Sequence, residues 1–208
     1  MKVAFLGYGA FAKQLHAFLE ALYPIEETLI FDDILAKEQK AFAIERCMDD
    51  QFREFSFFVG LGYHHLNARN ILINKLIAAG RSLPSFIHPT AILAKSSSIG
   101  HGCIIFPGCI IDQDVIIKNG SVLHNGVIVS HNSVIGEACY LSPGTIISGR
   151  VHIEATCFLG TGTNVANDVT IGEGSKIAIG SVVIDSLTAG TNAIGNPLKI
   201  LNHPLILR

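Results

Sequence analysis

Ile99-Gly100-His101-Gly102-Cys103-Ile104-Ile105-Phe106-Pro107-Gly108-Cys109-Ile110-Ile111-Asp112-Gln113-Asp114-Val115-Ile116-Ile117 carries an aliphatic side chain at every sixth position and a small or slim one four residues after each. Followed outward, the aliphatic series runs upstream through Leu93 to Ile87. Downstream it passes Leu123, Val129, Ile135, Leu141, Ile147, Ile153, Leu159, Val165, Ile171 and Ile177 to Val183, and none of the seventeen slots departs from Leu, Ile or Val. The second series holds Cys103, Cys109, Val115, Ser121, Val127, Ser133, Cys139, Thr145, Val151, Cys157, Thr163, Val169, Ser175 and Ser181.

A period of six matches neither an α-helix nor a flat strand. It predicts a triangular parallel β-helix with one hexapeptide per face and three per turn. The aliphatic residue fills the prism, and the small one lies near a corner, where the interior narrows. Each turn pairs its backbone with those above and below at ~4.8 Å, so the turns stabilise one another only by stacking. The register places Cys103, Cys109, Cys139 and Cys157 inside. Cys139 and Cys157 are eighteen residues apart and fall on adjacent turns, close enough for a disulfide that a reducing compartment would leave open.

The composition agrees. Among 208 residues, 49% are hydrophobic and 15% charged, with no Trp and only four Tyr, a profile that suits stacked β-structure better than a helical bundle. A formal net charge of −2 without a basic block excludes the usual footprint of a nucleic-acid binder. No apolar run approaches the roughly 20 residues of a membrane span, and the start of the chain lacks the apolar length of a signal peptide. Five cysteines without a Cys-x-x-Cys pair argue against a disulfide framework and a zinc knuckle. A soluble cytoplasmic protein is expected.

Residues 1–84 read differently from 85–208. Val3-Ala4-Phe5-Leu6 is a short strand, and Gly7-Tyr8-Gly9-Ala10-Phe11-Ala12 is a Gly-x-Gly-x-x-Ala turn. A helix follows, with Phe11, Leu15, Phe18, Leu19 and Leu22 on one face. Thr28–Phe31 and Phe55–Val59 are further strands, ending at Asp32-Asp33 and Gly60-Leu61-Gly62-Tyr63, and a second helix runs from Leu66 to Ala79 with Gly80 as its stop. Alternating strands and helices predict a small parallel sheet. The glycine turn follows a strand and opens a helix, as phosphate binding at a helix N-terminus requires. It also serves as a plain tight turn. The segment is too short for both halves of a dinucleotide fold, which favours a mononucleotide. His16 is expected on a helix surface.

With a short nucleotide-binding domain, the junction Phe86-Ile87-His88-Pro89-Thr90-Ala91 and then hexapeptide repeats, the chain resembles the sialic acid O-acetyltransferase family. Within it the layout is similar to the bacterial nucleotide-amino-sugar N-acetyltransferases, including the bacillosamine-pathway enzyme. The resemblance implies left-handed β-helices, a hand opposite to the usual crossover rule. It further implies homotrimers with active sites between subunits, acetyl-CoA as co-substrate, no metal, and a UDP- or dTDP-linked amino sugar as acceptor. A sialic acid hydroxyl is the alternative acceptor. A metal-dependent enzyme of the carbonic anhydrase kind needs three clustered histidines, and His124 and His131, seven apart, lack that family's closer pair.

The most specific match is Val127-Ile128-Val129-Ser130-His131-Asn132-Ser133-Val134-Ile135-Gly136. It implies His131 as general base, and the register independently projects this residue outward. An imidazole with an ordinary pKa of about 6.5 accepts a proton near neutrality. Asn132 stands where relatives often carry an acidic residue. Gly149, one turn above His131, leaves room for a thioester, and its match implies an N–H donor to the oxyanion; it also reads as a simple corner glycine. Tyr140, where the bacillosamine enzyme has a second histidine, is implied near acetyl-CoA, with Thr161, Ile179, Gly180, Pro197 and Lys199. The last two lie in Gly195-Asn196-Pro197-Leu198-Lys199, which resembles the family's tail. Gly9, Ala10, Phe11, Asp32, Asp33, Gly62 and Tyr63 are the implied acceptor residues, although the Asp pair also suits a solvated strand end.

Overall fold

The computed structural model describes residues 1–206 and divides into two compact units, Met1–Pro84 and Ser85–Arg208. In the first, three parallel strands lie in the order β2-β1-β3: β1 (Lys2–Leu6), β2 (Glu27–Phe31) and β3 (Ser56–Val59). Helix α1 (Ala10–Leu22) follows β1, the short α2 (Asp33–Lys37) follows β2, and α3 (Leu66–Ala78) follows β3. The residues of β1 from Val3 to Leu6 are fully buried, as befits a central strand covered on both faces. Helix α1 buries Ala12, Leu15 and Leu19, whereas Leu22, expected on that face, is exposed in the last turn. Phe31, Phe42, Phe52 and Phe57 pack ring on ring beneath the sheet.

The second unit is a parallel β-solenoid of about six turns. Two-residue strands stack eighteen residues apart on three faces. The first begins at Phe86–Ile87, the second at Ile92–Leu93 and the third at Ser98–Ile99, and the register is continuous, as in Val122↔Tyr140 and Ile128↔Ile146. From Ile105 to Val183 the inward aliphatic residues are essentially inaccessible. Ile87, Leu93 and Ile99 are only half-buried because they form the terminal coil, stacked on one side. All fourteen small-slot residues are buried. Their polar members also bind corner carbonyls of the next turn: Ser121 Oγ donates to Gly136 O at 2.6 Å and Ser133 Oγ to Ser148 O at 2.9 Å. A small hydroxyl at this slot satisfies a backbone acceptor that an aliphatic residue would leave unpaired.

The series continues past Val183 with one break. Leu187 pairs with Ile171, sixteen residues back, and Ala193 with Ile177, so the slot a strict period would give to Ala189 is shifted by a corner two residues shorter. The chain then turns back, Lys199–Ile200 pairing antiparallel with Asn192–Ile194.

Each corner has a further regularity. From Gly102 to Gly180, the residue three after every aliphatic slot has positive φ, eight of them glycine and six not, among these Asn132 (58°), Arg150 (59°) and Asp168 (63°). A non-glycine residue in this region costs roughly 1–2 kcal/mol, and the stacked turns on both sides hold it there.

Candidate active site

His131 sits at the corner between the second and third faces, after the strand Ile128–Val129 and before Val134–Ile135. Two residues past the Val129 slot, it points out of the prism and is exposed. The left-handed backbone of Asn132 folds that side chain back beside the ring, and His131 Nδ1 and Asn132 Oδ1 lie 3.0 Å apart. An amide oxygen only accepts, so this pairing assigns the proton to Nδ1 and leaves the lone pair on Nε2.

Nε2 faces Gly149. A Cβ on Gly149 would lie 2.6 Å from His131 Nε2 and 2.6 Å from Cε1. Backbone strain does not demand glycine here, since the left-handed residue of this corner is Arg150. The nearest atoms to such a Cβ are all from the imidazole, so a side chain at position 149 would have to displace the ring.

The Gly149 N–H differs from expectation. It donates to Asn167 Oδ1 at 2.8 Å, one turn further up, so the donor expected for an oxyanion already has a partner. Beside it, Arg150 and Asp168 form a two-pronged ion pair, Nε to Oδ1 at 2.6 Å and an η nitrogen to Oδ2 at 2.8 Å. The Arg150 hydrogen bonds hold the Asp168 carboxyl below its usual range, with a lesser contribution from His131. Asn167, Arg150 and Asp168 were not singled out by the motif. The eighteen-residue vertical spacing that links His131 to Gly149 leads to Asn167 when taken one step further.

Thr161, Ile179 and Gly180 share a different corner, between the first and second faces, where Gly180 N–H donates to Thr161 O at 2.8 Å. All three are exposed, Ile179 at 69%. Pro197 and Lys199, also exposed, lie in the turn and strand of the antiparallel tail. Within one protomer these residues do not converge on His131. Tyr140, expected near acetyl-CoA, is buried on the first face, in a stack running Phe86, Phe106, His124, Tyr140 and Phe158. Its ring is held by its neighbours above and below. Burial likewise pushes the His124 pKa down, against an opposing bond to Asn125.

In the first unit, the remaining candidates gather at the carboxyl ends of the three strands. With β2 and β3 on opposite sides of β1, the chain reverses direction between β1 and β3, where ligands of open parallel sheets bind. There the Gly7 and Gly60 backbones are in close contact, a Cβ on Gly60 meeting Gly7 O at 2.2 Å. Gly9 and Gly62 are unlike these. Neither has a positive φ, and a Cβ on Gly9 would meet open space. Gly9 caps α1 without a side chain, leaving the first N–H groups at Ala10 and Phe11 unmasked, and Gly62 approaches Phe11. Tyr63 is half-buried and stacks on His64 with ring centroids 4.2 Å apart.

Both aspartates anchor loops. Asp32 accepts from Tyr8 N at 2.9 Å and caps α2 through Ile34 N and Leu35 N, and Asp33 accepts from Ile44 N. Burial pushes the Asp32 carboxyl up, but the N–H groups of Tyr8, Leu35 and Ile34 outweigh it and hold the pKa below the ordinary value. His16, expected on a surface, is largely enclosed. Its Nδ1 lies 2.6 Å from the Tyr8 hydroxyl and its Nε2 3.2 Å from Thr28 Oγ1, because its helix face turns toward β2. Among the described residues no three His, Cys, Asp or Glu side chains could hold a metal ion, and no helix is long and apolar enough to cross a membrane.

No family model matches this chain, and no curated protein does. Solved structures do. PerB from Caulobacter crescentus, in complex with CoA and GDP-perosamine, is 29% identical with a TM-score of 0.87, over 97% of this chain and 98% of PerB. The acetyltransferase domain of PglB from Neisseria gonorrhoeae FA1090, in complex with acetyl coenzyme A, is 25% identical with a TM-score of 0.86, over 96% and 98%. WeeI from Acinetobacter baumannii AYE, at 18% identity and a TM-score of 0.69 over 97% of this chain and 100% of WeeI, shares the fold. These matches run through both units. Over almost its whole length the chain is similar to bacterial nucleotide amino-sugar N-acetyltransferases with a left-handed β-helix fold.

Proposed function

We propose that this protein transfers the acetyl group of acetyl-CoA to the amino group of a nucleotide-linked amino sugar, with His131 as general base. The observation that carries the reading is the imidazole lone pair at Nε2 facing the side-chain-free notch at Gly149. An acetyl thioester seated there puts its carbonyl carbon beside the base. The acceptor nitrogen attacks that carbon, a C–N bond forms and the carbonyl electron pair moves onto oxygen. His131 Nε2 takes the proton released by nitrogen. When the tetrahedral intermediate collapses, the C–S bond breaks and the proton passes to the departing thiolate. No covalent acyl-enzyme is required, because alignment of both substrates in one groove supplies the rate.

The acceptor reading rests on the carboxyl ends of β1–β3. Gly9, Ala10 and Phe11 offer N–H groups and positive dipole to a diphosphate, with Gly62 and Tyr63 across the crevice and Asp32 and Asp33 shaping the loops. UDP and dTDP are the nucleotides implied by the family resemblance, and the GDP-perosamine bound by PerB adds a guanine nucleotide to the set.

A homotrimer completes the site. The outward positions of the second face form a ladder of Ile92, Ile110, Ile128 and Ile146, and Ile92, Ile110 and Ile146 are 64%, 39% and 39% exposed in the protomer. The same face is flanked on one side by the His131 corner and on the other by the Thr161–Ile179–Gly180 corner. Three copies with this face toward a common axis bring the base of one against the second corner of the next, a closed heterologous ring. Thr161, Ile179 and Gly180 then line the pantetheine groove, with Lys199 near the coenzyme's phosphates and Pro197 beside it. Acetyl-CoA as donor places the reaction in the cytoplasm.

The test is coenzyme A release from acetyl-CoA with UDP-, dTDP- and GDP-linked amino sugars and with free sialic acid. Acetylation of a nucleotide-linked amine supports the reading; acetylation of the sialic acid alone replaces it with O-acetyl transfer.

A further inference from the structure

The Gly149 N–H is engaged by Asn167 Oδ1 at 2.8 Å, which fixes the orientation of the Asn167 amide. The oxygen faces Gly149, so the NH2 group lies on the other branch. Asn167 is exposed, and among the described residues its Nδ2 makes no hydrogen bond. It stands on the turn above Gly149, ~4.8 Å higher, while His131 stands on the turn below, in van der Waals reach of the notch. The notch thus has the His131 ring beneath it and the Asn167 amide, held through its oxygen, on the turn above.

We infer that Asn167 is a catalytic residue, its Nδ2–H donating to the acetyl carbonyl oxygen as that atom becomes the oxyanion. This rests on the acetyl-transfer reading and assigns its missing electrophilic element. As the acceptor amine adds to the acetyl carbon, negative charge collects on oxygen on the side away from the base. A neutral side-chain amide aimed there, already fixed at its other end, stabilises that charge without reorganising. The same vertical cap recurs elsewhere: Asn119 Oδ1 accepts from His101 N at 2.8 Å, which shows the bond to be a structural device of stacked corners. At position 167 the device holds an amide one turn above the glycine that a histidine faces.

Two variants separate the roles. Asn167→Asp keeps an oxygen for the Gly149 N–H but replaces the NH2 with a negative oxygen. Asn167→Ala removes the donor and releases the Gly149 N–H. Each is compared with the wild type at its own pH optimum, after thermal melting and assembly state confirm an intact fold. The expected order of kcat is wild type, then Asn167→Ala, then Asn167→Asp, the last lower by about 100-fold or more, as for the loss of an oxyanion donor, with KM for acetyl-CoA little changed. A readout independent of the acceptor is the infrared carbonyl stretch of acetyl-CoA labelled at the carbonyl carbon. It is expected to shift to lower frequency on binding the wild type and to lose that shift in Asn167→Asp. An unchanged shift and unchanged kcat in Asn167→Asp overturn the assignment. So does Asn167→Ala matching or exceeding the wild type, which returns the donor role to the Gly149 N–H. Failure of the wild type to bind labelled acetyl-CoA at all refutes the acetyl-transfer reading itself.

Discussion

Replacing Gly149 by Ala separates a conformational glycine from a chemical one. The added Cβ falls 2.6 Å from both Nε2 and Cε1 of His131 and 3.2 Å from Cδ2. Carbon atoms in contact settle at about 3.5–4.0 Å, so the ring must move by roughly 1 Å. That movement strains the 3.0 Å contact with Asn132 Oδ1 and fills the space assigned to the acetyl group. A misplacement of ~1 Å can cost about 100-fold in rate, and kcat is expected to fall by at least that much. Stability should not fall in parallel, since position 149 lies outside the left-handed region and a compatible Gly→Ala change stabilises by about 0.4–1 kcal/mol through the unfolded chain. Gly174→Ala is the matched control: its φ is +70° with Thr156 Oγ1 4.0 Å away, at a corner remote from His131. It is expected to lower the melting temperature, by a cost of about 1–2 kcal/mol, and to leave kcat intact. Steady-state coenzyme A release and thermal melting give both quantities. A Gly149→Ala protein with wild-type kcat refutes the notch.

Three further outcomes follow from the same coordinates. Ile147 is fully buried inside the prism and Ile146, beside it, is exposed. Ile147→Ala should therefore destabilise by about 2–5 kcal/mol, while Ile146→Glu should leave the fold but abolish the proposed trimer, as read by melting and light scattering. Asp32→Ala should weaken nucleotide binding and lower stability by about 1 kcal/mol through the lost helix cap; because the folded carboxyl is held below its usual pKa, the part due to its charge is present near neutrality and disappears as pH falls through the folded value, so the melting difference between wild type and variant should narrow in acid. The five cysteines are all buried and free, and burial pushes Cys109 up to about 11, so Ellman's reagent should react with none of them in the native protein and with all five after unfolding.

The prism was legible because a single inward residue per hexapeptide must be aliphatic, and seventeen consecutive slots obey that rule. The corner regularity was only partly legible, since glycine holds eight of fourteen third positions while Asp114, Asn132, Ala138, Arg150, Thr156 and Asp168 take the same left-handed backbone without it. Leu187 was invisible to a fixed period, since a corner shortened by two residues resets the count. His131 and Gly149 emerged from register and motif together. Asn167 did not, because its role is a hydrogen bond to a backbone atom eighteen residues away rather than a residue-type pattern. His16 shows the converse: helix periodicity suggested exposure, and packing against β2 decided otherwise.

The most direct measurement is mass spectrometry of the sugar product, alongside coenzyme A release, for the wild type and His131→Ala on a panel of nucleotide-linked amino sugars. The wild type is expected to N-acetylate at least one of them, and His131→Ala to lose at least 100-fold in kcat while keeping the fold and assembly state of the wild type. An unmodified panel, or a His131→Ala protein that turns over as fast as the wild type, contradicts the account.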